Sequence, residues 1–181
     1  LKNDNGLIKI HNRIYEQRIY NYLSSKLETT LDMSTYNYRD NFINKEGYLD
    51  FEKILNKFQS FFKEQYSKKD KEFLERNGRL IFLAFIKPII NGKGFDFKEV
   101  QISEEKRLDV VITYLDRKYV VELKIWRGEK YHQKGLAQLT DYLNKQNVDQ
   151  GYLISFNFNQ NKNYQQKEIQ REGKDVFAIW V

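Results

Sequence analysis

The chain contains no cysteine. Disulfides and thiolate metal sites are therefore excluded, and a reducing, cytoplasmic setting is the default expectation. Proline occurs once, at Pro88, where it should kink or end a helix. Histidine occurs twice, and His132 reads as a surface residue near a helix N-terminus, not as a base. No apolar run approaches the ~20 residues that span a bilayer, and no secretory leader is visible, so a membrane partner is not expected. No internal repeat stands out. The chain opens on Leu1 and a polar stretch, which raises the expectation of a fragment of a longer protein.

What is present fits one soluble globular unit with a short appendage. The chain has 181 residues, 40% hydrophobic and 31% charged, with a net charge of +6. Such a length buries roughly two-thirds of its unfolded surface. The positive balance favours a polyanionic partner, although basicity alone is weak evidence for one.

Taken in order, residues 6–10 read as a short strand, and Asn12 as the N-cap of an amphipathic helix. Residues 29–41 are polar and loop-like. Asp50 should cap a second helix whose apolar residues Ile54, Leu55, Phe58, Phe61, Phe62 and Tyr66 recur at three and four. Asp70 should cap a third, with Phe73, Leu74, Asn77, Leu80, Ile81, Ala84 and Phe85 on its inner side. Asn91-Gly92-Lys93-Gly94 is a breaker. The pattern then switches to period two over residues 95–103 and again over 107–126. Residues 131–145 return to helix, 151–158 to strand, 159–170 to polar loop, and 175–181 to a strongly apolar strand.

Residues 107–126, RLDVVITYLDRKYVVELKIW, read as a hairpin whose apolar pattern is interrupted by Asp109, Glu122 and Lys124. Side chains alternate between faces along a strand, so loop length decides which residues meet. A two-residue loop at Asp116-Arg117 pairs Leu115 with Lys118, Asp109 with Lys124, and Val111 with Glu122. A four-residue loop gives the same parity. Either way the three charges share one face, while Val110, Ile112, Tyr114, Tyr119, Val121, Leu123 and Ile125 share the other. A three-residue loop would separate the charges and scatter the apolar set.

Two carboxylates on one face make a hard-cation site. Asp109 and Glu122 would bind Mg²⁺, with Mn²⁺ as a substitute, and the Leu123 carbonyl is a further ligand candidate. Lys124 points to the same face and can orient the attacking water or stabilise charge developing on phosphorus. On the following helix Lys134, Gln138 and Tyr142 form one stripe, beside a packing stripe of Leu136, Leu139 and Leu143. Gln138 thus falls at the border between core and cleft.

Asp109…Glu122-Leu123-Lys124 in adjacent strands, followed by a helix with Gln138-Leu139-x-x-Tyr142, resembles the PD-(D/E)XK nuclease superfamily over residues 68–181. The helix motif is similar to that of the exonuclease-V-like and CRISPR-associated four branches. Arg107-Leu108 stands where the name-giving proline is expected. The resemblance implies an α/β fold with a mixed sheet, in a restriction-endonuclease-like αβββαβ core carrying an N-terminal helical appendage. It also implies Mg²⁺-dependent hydrolysis of nucleic-acid phosphodiesters, with DNA favoured over RNA. Asp109 and Glu122 match the metal-binding acids, Lys124 the catalytic lysine, and Gln138 and Tyr142 the helix motif. An auxiliary glutamate is implied as well: Glu72, Glu75 and Glu99 are candidates, with Glu75 preferred. Arg107 and Lys134 are candidate substrate contacts. Residues 1–67, including GLIKIHNRIYEQRIYNYL, resemble the closing segment of an AAA-type ATPase module fused upstream of such nucleases, plus a linker helix. No glycine–lysine phosphate loop lies in this chain, so an upstream ATPase domain of the same protein is the implied partner. The rival expectation is a catalytically weak nucleic-acid-binding or regulatory module coupled to that ATPase.

Overall fold

A computed structural model describes residues 2–4, 7–9, 22, 40–65, 71–90, 109–159 and 161–181. A two-stranded antiparallel ribbon pairs β1 (Lys2–Asp4) with β2 (Leu7–Lys9). The helix expected after Asn12 lies outside the described residues apart from Tyr22. So do the strand expected over 95–103, the Asp70 cap and the 91–94 breaker. A 3-10 turn (Asp40–Phe42) leads to helix α1 (Phe51–Gln65). Asp50 caps α1 as expected: its Oδ1 accepts the Lys53 N–H at 3.1 Å. Helix α2 (Lys71–Ile90) runs through Pro88 and ends two residues later.

Among the described residues the centre is a five-stranded mixed sheet of α/β class. Its strands are β3 (Asp109–Tyr114), β4 (Arg117–Ile125), β5 (Gln150–Phe156), β6 (Gln166–Arg171) and β7 (Lys174–Trp180), in the order β3-β4-β5-β7-β6. Strands β4, β5 and β7 pair in parallel, and among the described residues β3 and β6 flank them antiparallel. Helix α3 (Glu129–Gln146) makes the crossover from β4 to β5. Gly128, with φ at 95°, turns the chain from strand into that helix. At the other end Asn147 takes a left-handed conformation, and Asn147 and Val148 donate to the Asn144 and Leu143 carbonyls, a Schellman closure.

Strand alternation divides the core into two layers. Val110, Ile112, Tyr119, Val121, Leu123, Ile154 and Phe177 face α1 and α2 and belong to one buried cluster with them. Phe58 lies at its centre, within 6.5 Å of five other phenylalanine rings by centroid. Val120, Leu153, Val176, Ala178 and Trp180 face α3 and pack against Leu136, Leu139 and Leu143. From Ile81 to Ile86 every residue of α2 is buried, so the single inner stripe expected there is too narrow a description. Among the described residues no helix is long and apolar enough to cross a membrane.

Two expectations are corrected. The hairpin turns at Leu115-Asp116, with Tyr114 opposite Arg117, so the register is shifted by two residues. Asp109 lies opposite Glu122, not Lys124. A two-residue slip preserves which face each side chain occupies, so the separation of charged and apolar faces survives. The second correction concerns residues 159–170, expected to be loop throughout. Gln166–Arg171 is the edge strand β6, joined to β7 by Glu172-Gly173, both at positive φ (52° and 75°). Positive φ at both central residues is the primed geometry that suits strand twist.

Candidate active site

Glu122 projects toward α3 from the middle of β4, between Asp109 on β3 and Leu153 on β5. A carboxylate in such a position should be paired or should hold a cation. Glu122 is only 2% exposed. One carboxylate oxygen, Oε1, is 2.5 Å from Lys124 Nζ. The other, Oε2, is buried with no hydrogen-bond partner among the described residues. Lys124 reaches Glu122 because residues i and i+2 share a strand face. Its side chain is 25% exposed, so the ammonium lies at the edge of the buried layer.

Helix α3 covers this face. The packing is close at Gly151 and Gly135, where a Cβ would lie 2.7 Å from Leu143 Cδ1 and 3.1 Å from Lys124 Cγ respectively. Gly135 thus seats the helix on the lysine stem. Gly135→Ala is expected to push that stem aside by a few tenths of an ångström, while gaining ~0.5–1 kcal/mol of helix stability from removal of a mid-helix glycine. If Lys124 has the catalytic role that the sequence resemblance implies, small displacements of it are costly, so cleavage should fall about tenfold, with a melting temperature unchanged or raised. Parallel cleavage assays and thermal melts check both parts.

The other expected residues distribute unevenly. Gln138 is half-buried on α3, one turn beyond Gly135. Tyr142 packs against the α3 leucine cluster. Lys134 is exposed, with its Nζ 5.5 Å from the Tyr131 ring centroid. The Leu123 side chain is buried in the opposite layer, leaving its carbonyl as the only oxygen it could offer. Glu75 lies on α2. Glu99 and Arg107 lie outside the described residues. Among the described residues, no group of three or more acidic, histidine or cysteine side chains converges as a metal cage.

Ser155, buried in register with Lys124 on β5, was not anticipated. The period-two pattern of residues 151–158 was the signal that could have placed it on the Lys124 face. His132 is a correction. It is 5% exposed and stacks on Trp180 with ring centroids 4.7 Å apart. Burial pushes its pKa below the usual histidine value.

Buried inner strands between helices, with the Glu122–Lys124 pair on the α3-facing side of the sheet, define an α/β architecture consistent with the restriction-endonuclease-like PD-(D/E)XK fold. Residues 94–171 match the PD-(D/E)XK nuclease superfamily. That segment contains Asp109, Glu122, Lys124, Gln138 and Tyr142, and the match suggests nuclease activity. No curated protein matches the chain.

Proposed function

We propose that this domain is a metal-dependent nuclease that hydrolyses phosphodiester bonds of DNA. The observation that supports it most is the buried Glu122 carboxylate, with one oxygen on Lys124, the other unpaired, and Asp109 directly across the strand pair. An unpaired buried carboxylate oxygen fits a hard cation, which takes oxygen ligands from one or two carboxylates plus substrate. Glu122 and Asp109 would hold Mg²⁺ or Mn²⁺, with the Leu123 carbonyl as a further donor. When bound, the cation neutralises phosphate charge and makes water a competent nucleophile near neutral pH. Lys124 holds a proton-rich ammonium beside the reacting phosphate and stabilises its developing charge. Gln138, on the helix above, orients water or Lys124, and Tyr142 braces the helix. Glu75, Glu99, Arg107 and Lys134 remain proposed auxiliary contacts. An upstream AAA-type ATPase of the same protein is the proposed partner, on the resemblance of residues 1–67.

The test is a divalent-metal titration. The protein should cleave plasmid or single-stranded DNA with Mg²⁺ or Mn²⁺ and not in EDTA. At a hundred times its dissociation constant the metal contributes ~2.7 kcal/mol, a rise in melting temperature of about 5–10 °C for a chain of this size. If metal gives neither cleavage nor stabilisation while DNA still binds, the domain is a binding module instead.

A further inference from the structure

A polar cavity of about 360 Å³ opens on the flank of α3, with neither Glu122 nor Lys124 in its lining. Its walls follow from strand and helix periodicity. On α3, Glu129, His132, Gln133 and Leu136 fall on one side, while Gly135, Gln138 and Tyr142 fall on another. On β6, Lys167, Ile169 and Arg171 alternate onto the α3 face, and Ile169 packs into the α3 cluster. The three rings of Trp126, His132 and Trp180 meet here, with centroids 4.7–5.8 Å apart. Trp180 and His132 are each 5% exposed.

Two features ask for a ligand. Trp180 Nε1 and His132 Nδ1 are buried with no hydrogen-bond partner among the described residues, an arrangement folded proteins avoid. Lys167 and Arg171 bring two cations to the rim, opposite a chain of amide contacts. Arg171 donates to Gln133 Oε1 at 3.2 Å, and Gln133 Nε2 donates to Glu129 at 2.7 Å. The cavity also lies near the candidate catalytic residues. Trp126 is two residues past Lys124 on the same chain segment. Trp180 shares a row of the sheet with Lys124 across Ser155, two strand spacings or ~10 Å away.

The geometry points to this cavity as a nucleotide-binding subsite, in which a base packs against the Trp126–His132–Trp180 cluster and its phosphate meets Lys167 and Arg171. The volume suits one nucleotide, within the usual range of small-molecule pockets. Aromatic rings accept any base face, buried nitrogens can read base-edge atoms, and the rim cations hold a phosphate. The nucleotide comes either from a strand threading toward Lys124, which rests on the nuclease reading, or from a free mononucleotide.

The chain's only two tryptophans both line this cavity, so intrinsic fluorescence reports on it directly. The wild-type protein is titrated in EDTA with hexathymidylate, with thymidine monophosphate and with inorganic phosphate. Saturable quenching by the nucleotides but not by phosphate is expected. Tighter binding of the oligonucleotide assigns a strand subsite, and equal binding assigns a free nucleotide. Lys167→Ala/Arg171→Ala should weaken oligonucleotide binding about tenfold or more and make the salt slope shallower by about 0.7, the share of one phosphate on a single strand. Lys167 is exposed, so Lys167→Ala alone serves if the double variant folds poorly. No quenching, equal quenching by phosphate, or unchanged binding in the variants overturns the inference. Cleavage is assayed separately with Mg²⁺. Quenching without cleavage defeats only the nuclease reading, and cleavage without quenching defeats only the subsite.

Discussion

Glu122→Gln is expected to lower metal-dependent cleavage by at least ~10²-fold, the scale on which loss of one charge-stabilising group acts, without lowering the melting temperature. The amide has the same shape and can still accept from Lys124. What disappears is a charge buried to 2% exposure with one oxygen unpaired. Desolvating a carboxylate costs several kcal/mol, and its attraction to a lysine often only offsets that. Lys124, a quarter exposed, can turn its freed ammonium to water. The fold therefore loses little, and gains if desolvation outweighs attraction. Melts in EDTA beside cleavage rates in Mg²⁺ check this. A fall of many degrees with activity retained would show that the pair exists to stabilise the fold.

Lys124→Ala should remove as much activity but act oppositely on stability. It leaves the buried Glu122 carboxylate without its cation. Breaking a fully buried pair costs ~3–5 kcal/mol; partial exposure of Lys124 limits the loss here to up to ~3 kcal/mol, at most about 6–12 °C in melting temperature. The two variants are thus expected to match in activity and to separate in stability. Combining them should restore most of the lost stability, because the uncompensated charge is gone. Neighbouring residues that share an interaction are where additivity fails. If Lys124→Ala melts with the wild type, the pair is not energetically coupled.

The core layers and the pairing of Glu122 with Lys124 were legible because parity alone decides them. Val110, Ile112, Tyr119, Val121 and Leu123 fill one face under any even slip of register. The register itself was not legible. The turn forms at Leu115-Asp116 with Leu115 at a positive φ of 54°, a conformation no glycine or asparagine announces there. Asp50 announced its helix because a short acid before an apolar repeat has a local partner, the Lys53 N–H. β6 was silent for the opposite reason. An edge strand has one neighbour, and Gln166–Arg171 buries little apolar surface, so sequence shows only polarity, which is how edges avoid further pairing. His132 looked like a surface residue because its burial depends on Trp126 and Trp180, distant in sequence and brought together only by the sheet.

The parallel pairing of β4 with β5 gives Glu122 a place in the order of folding. Asp109 and Glu122 are register partners in a local hairpin, a pairing that such ribbons make in microseconds. Leu153 and the covering turns of α3 arrive only after the long crossover closes, and closing such loops is the slow step in chains of this topology. The acid pair can therefore assemble while still hydrated, and the cost of drying Glu122 falls late, on the helix that seals it. Substitutions at Glu122 should accordingly be felt more in how fast the domain opens than in how fast it forms.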